Sequence, residues 1–204
     1  MTAFDRQWAA LRAALAGPVP AVLAAWAAEL AGQGDALPLL GTGLRGPRYE
    51  ALLWNGARCP AAAVLITGLL TAPPDTTTDD LAAAVAAGAL ASEVPTAPGP
   101  AVASLATVGC AVTAAMVTSA SVDLVVDLAA SLMVFSSAAA VPGGTRTDLV
   151  RAGHPVASGW LATLLLSAGF APMPGALAAT LAAAGAPAAP AQAATVSGLL
   201  DTVR

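Results

Sequence analysis

Residues 102–118 read VASLATVGCAVTAAMVT and residues 122–136 read VDLVVDLAASLMVFS. Each run is long enough for a helix of about four turns. Ser119-Ala120-Ser121 joins them, and a connection this short makes the two helices antiparallel neighbours. Asp123 and Asp127 are their only charges, so both helices are expected to be buried as a central hairpin. Alanine fills little space, and native packing density then demands short distances between helix axes. Gly109, Ala111, Ala114 and Ala115 permit such an approach.

Outward from the hairpin, the same pattern predicts helices over 4–16, 19–30, 49–54, 61–70, 77–90, 155–168, 172–184 and 189–203. Phe4, Trp8, Leu11 and Leu15 form one stripe of the first, which Gly17-Pro18 ends. Asn55-Gly56 is expected to split the third from the fourth. Thr77 followed three residues later by Asp80 is a helix-start signal. Pro155 suits a first helical position. The glycine-rich stretch 32–48 holds a short apolar piece at 37–40, 141–144 reads as a loop and 185–190 as a linker. Strand signals are weak, and alanine density favours helix. The fold class expected is all-α, one domain over 1–204.

The chain has 56 alanines, no lysine, His154 as its one histidine, and Cys59 and Cys110 as its two cysteines. Without lysine there is no Schiff base, pyridoxal-phosphate anchor or P-loop lysine. One histidine and two cysteines do not make a zinc site, so no metal and no cofactor are expected. Eight arginines against twelve acids, with no basic cluster, argue against nucleic acid. Three long stretches carry no charge (94–122, 128–145 and 155–200), but alanine dominates them, and membrane spans are driven by Leu, Ile, Phe and Val. No membrane partner is expected. With 10% charged residues the polar cover is thin, and a large face is expected to be buried against a partner subunit, most simply in a homodimer. Asp5 and Arg6 interrupt the first residues before any apolar run, so no secretory signal is expected, and the cysteines read as reduced thiols in the cytoplasm.

Several stretches carry a resemblance: GTGLR at 41–45, YEALLWNGA at 49–57, LAAAVAAG at 81–88, GCAVTAA at 109–115, GT at 144–145, AGH at 152–154 and GWLATLLLSAGF at 159–170. In order and spacing, from about residue 36 to about residue 184, they resemble the MmgE/PrpD family. Its members include 2-methylcitrate dehydratases, cis-aconitate decarboxylases and iminodisuccinate epimerases. The resemblance implies a mostly helical domain that dimerises, followed in full-length members by an α/β lid; this chain looks like the helical domain alone. It departs from the family where the chemistry lies. The family's histidine and acidic stretch after Asn-Gly are missing, with Arg58-Cys59-Pro60 following at once and Cys59 at the place of a family histidine. Ala103 falls where another histidine is expected, Asp148 replaces a lysine and Arg151 replaces a histidine.

The candidate catalytic residues are Asp148, Arg151 and His154. His154 titrates nearest neutrality and is an acid–base candidate, or a plain histidine near a helix start. Asp148 is a candidate base, or a salt-bridge partner of an arginine. Arg146 and Arg151 offer guanidiniums to a carboxylate or enolate. Arg146, Cys59, Arg58, Asn55 and Trp54 are the candidate substrate-binding residues. Cys59 is a nucleophile only if Arg58 or a helix start lowers its pKa, and otherwise a small apolar residue. Asp123 and Asp127 share a helical face, as an acid–base pair or as solvent-facing charges. Trp54, Trp160, Phe170 and Met173 suit an apolar pocket or core packing equally.

Two functions fit. One is a cofactor-independent enzyme of repurposed MmgE/PrpD-like fold, with lyase, isomerase or cyclase chemistry on a hydrophobic or carboxylate-bearing small molecule. The heavy use of Ala, Val, Leu and Gly suggests a bacterium of high genomic GC, and natural-product biosynthesis as the setting. The other is a non-catalytic scaffold or partner subunit, paired with itself or with a full-length homologue.

Overall fold

A computed structural model describes residues 36–39, 41–59, 62–92, 101–103, 105–133, 135–137 and 146–183. The helices expected at 4–16, 19–30 and 189–203, the loop at 141–144 and the linker at 185–190 lie outside the described residues. What is described is mostly helical, with two short two-stranded ladders.

The expected apolar piece at 37–40 is largely the first arm of a hairpin. β1 (Ala36–Leu39) pairs antiparallel with β2 (Leu44–Pro47), Ala36 opposite Pro47 and Leu39 opposite Leu44. Gly41 and Gly43 take φ of 75° and 70°, left-handed backbone that glycine adopts without penalty. Between them the Thr42 hydroxyl donates to the Leu39 carbonyl at 2.8 Å and accepts from the Leu44 N–H at 3.0 Å.

Helix α1 (Arg48–Arg58) follows at once and runs through Asn55-Gly56. The expected break there does not occur, because tertiary contacts use both residues inside the helix. Asn55 is fully buried, and its side-chain amide donates to the Pro38 carbonyl at 2.9 Å. A Cβ on Gly56 would lie 2.6 Å from Cγ2 of Val156, so only glycine fits that crossing. α2 (Ala63–Thr71) and α3 (Thr78–Ser92) come next. The start signal of α3 works as read: the Asp80 N–H donates to the Thr77 hydroxyl at 3.1 Å, and that hydroxyl donates to the Asp80 carboxylate at 2.6 Å.

The central hairpin is formed by α4 (Ala106–Val117) and α5 (Val122–Ser131). Both are shorter than expected. The outer ends of the two runs become β3 (Ala101–Ala103) and β4 (Phe135–Ser137), an antiparallel ladder with Val102 opposite Ser136. The hairpin is thus closed at the end away from its turn. At the turn, Ser119 has φ 55°, and the Ala120 N–H donates back to the Ala115 carbonyl at 2.8 Å, which ends α4.

α6 (Arg146–Ser167) contradicts the predicted start at Pro155, which lies inside the helix. A proline there forfeits one helical N–H, and Pro155 is nevertheless buried in the packed half of α6. Gly169, at φ 86°, stops α6: the Gly169 N–H donates to the Leu166 carbonyl and the Phe170 N–H to the Leu165 carbonyl, both at 3.0 Å. α7 (Ala176–Ala183) starts four residues after the expected position.

Every residue of α4 from Thr107 to Ala115 is buried. Val108, Val112, Val125, Ala129 and Ala162 belong to one apolar cluster, and Leu52, Ile66, Leu70 and Val156 to a second. Glycines set the helix spacing, as the alanine content predicts. A Cβ on Gly88 would lie 2.5 Å from the Gly109 carbonyl oxygen, and one on Gly159 would lie 2.6 Å from Cβ of Cys110. At the α3–α4 crossing the Thr113 hydroxyl donates within its own helix to Gly109 (3.0 Å) and across to Ala84 (3.2 Å). No helix among the described residues is long and apolar enough to cross a membrane.

Candidate functional site

The two stretches that hold the sequence-predicted site residues belong to helices in contact. Trp54, Asn55 and Arg58 lie on α1, and Arg146, Asp148, Arg151 and His154 on α6. The helices cross where Gly153 meets Leu53: a Cβ on Gly153 would fall on the Leu53 carbonyl. Val156, one turn on, fills the space that Gly56 leaves. Of Arg146, Asp148 and Arg151 the helical backbone is described, while their side chains lie outside the described residues.

The side chains that are described do not turn toward one point. Asn55 is spent on β1 through Pro38. His154, half-buried, reaches the opposite neighbour, where its Nε2 is 2.9 Å from the Leu132 carbonyl oxygen. Leu132 caps the C-terminal end of α5, and carbonyls at such an end lack an intrahelical partner. A carbonyl only accepts, so Nε2 carries the proton. Nδ1 is then free to accept from the Ser158 hydroxyl, 3.2 Å away. The same hydroxyl oxygen lies 3.0 Å from Nε2, and being almost equally close to both nitrogens it sits over the face of the ring rather than in line with either one. Ser158 is buried, which withholds its oxygen from an external electrophile. The pair resembles a serine–histidine dyad in spacing alone; in burial it is a helix tie.

Sequence reasoning passed over Ser158, although its position four residues after His154 puts both on one helical face. It weighed Asp127 as an acid–base group. The carboxylate instead caps α7: the Gly175 and Leu177 N–H groups donate to its two oxygens, each at 3.0 Å. These partners lie 48 and 50 residues away, and no local signal announces them. Asp123, one turn earlier, is exposed.

Arg58 and Cys59 are exposed at the C-terminal end of α1. Nη2 of Arg58 passes 3.5 Å from the place a Cβ on Gly41 would take, which sets this end of the helix beside the hairpin turn. Cys110 is fully buried. Burial pushes its thiol up to about 12, and a hydrogen bond with Thr67 offsets only part of that, so it is unreactive as a nucleophile. Trp54 and Trp160 are half-buried, Trp160 packing on the second cluster. Phe170 and Met173 face outward, 59% and 73% exposed, and line no enclosed pocket with them. Among the described residues no three His, Cys, Asp or Glu side chains are grouped to hold a metal ion.

Set against known protein families, curated proteins and solved structures, the chain matches none.

Proposed function

We propose that the chain is a helical domain of MmgE/PrpD type acting in the cytoplasm as a non-catalytic partner subunit, paired with a second copy or with a full-length homologue. One observation carries this reading. His154 and Asn55, the candidate site side chains with defined hydrogen bonds, are bound to backbone carbonyls of neighbouring elements. Groups held in this way tie one element to the next and are not poised for a substrate. The departures from the family pattern at Cys59, Ala103, Asp148 and Arg151 point the same way. Native mass spectrometry of the purified protein, at low and then at denaturing energy, tests it. The expected result is an assembly of two protein chains with no small molecule released. A chain that releases an apolar or carboxylate-bearing compound on denaturation overturns it.

A second reading draws on the contact between α1 and α6, made by Leu53 with Gly153 and by Gly56 with Val156. It is a cofactor-independent lyase, isomerase or cyclase, with Asp148, Arg151 and His154 as acid–base groups. Arg146, Cys59, Arg58, Asn55 and Trp54 would then hold a hydrophobic substrate. It requires that His154→Ala abolish turnover or ligand retention while the protein stays folded.

A further inference from the structure

We draw no further inference here: the strongest candidate, the exposed apolar corner of Leu164, Phe170 and Met173 where α6 turns toward α7, carries nothing because nothing in the structure shows what covers it.

Discussion

Replacing Gly153 by alanine tests the crossing of α1 and α6, the two helices that carry the candidate site residues. The new methyl would fall on the Leu53 carbonyl oxygen, 2.7 Å from its carbon and 3.1 Å from the Leu53 Cα. These are backbone atoms, so no rotamer change relieves the overlap and α1 must move away from α6. Overpacking of this kind costs about 1–3 kcal/mol, and a backbone clash belongs at the upper end. Alanine returns about 1 kcal/mol through its better helix propensity. The expected net loss is about 2 kcal/mol. With a urea dependence of about 2 kcal/mol per molar, the unfolding midpoint drops by about 1 M. The neighbouring crossing supplies a contrast. The clash at Gly56 is with a side chain, Cγ2 of Val156 at 2.6 Å. Val156→Ala removes that atom while leaving its own Cβ at 2.9 Å and the Gly153 Cα at 3.3 Å, so it relieves part of the Gly56→Ala clash, and the double variant should lose less than the two singles together, by about 0.5–1 kcal/mol. Urea titration followed by far-UV circular dichroism reads the parent and all four variants. A Gly153→Ala protein as stable as the parent, or strict additivity at Gly56 and Val156, would refute the crossing.

Four further outcomes are expected. His154→Ala loses about 1–2 kcal/mol in the same titration by leaving the Leu132 carbonyl unpaired, and Ser158→Ala loses less because the ring keeps its bond to Leu132. Asp127→Ala removes both caps of α7 and costs about 1–2 kcal/mol; hydrogen exchange should rise first over 175–179, and unchanged protection there would contradict the cap. Stability falls as pH rises above the ordinary thiol value of 9.0, since the unfolded chain then sheds a proton that folded Cys110 retains to about 12; a Cys110→Ala protein should lack that part of the slope, and in the native parent iodoacetamide should label Cys59 alone. Ser119→Gly relieves a left-handed residue and should stabilise by about 1 kcal/mol.

What the sequence makes legible is local. The α3 start needs only Thr77 and Asp80, three residues apart, and the α4–α5 turn needs only a short polar break between apolar runs. The misread boundaries have distant causes. Asn55-Gly56 looks like a break until Pro38 and Val156 are brought against it. Pro155 looks like a first residue because seven of the nine residues before it in α6 are polar or small, Leu149 and Val150 excepted, and the Gly153 that lets this stretch pack against Leu53 of α1 is 100 residues from its partner. The ends of the central runs pair as strands because residues 101 and 137, far apart in sequence, meet at the open end of the hairpin. The candidate site shared this difficulty. Most of its residues stand on turns not expected to be helical, 55–58 of α1 and 146–154 of α6, and the direction of His154 toward α5 and of Asn55 toward β1 is a property of the assembled bundle.

The family resemblance divides along the same line. The positions that carry it include Gly41, Gly56, Gly88, Gly109, Gly153, Gly159 and Gly169. Gly41 and Gly169 occupy left-handed backbone, and the other five stand at helix crossings where a Cβ would collide with a neighbouring element. Packing or backbone conformation demands glycine at each of them, so they speak for an architecture and not for a reaction. The positions at which the chain departs from the family are the ones that resemblance assigns to proton transfer: Cys59, Ala103, Asp148 and Arg151. What these crossing glycines serve is the chain's close helix contacts, which is a demand on shape. His154 does not weaken this argument, because its ring already closes the end of α5. The histidine that looks most like a reagent in the sequence is, in the folded chain, one of the bonds that hold α6 in place.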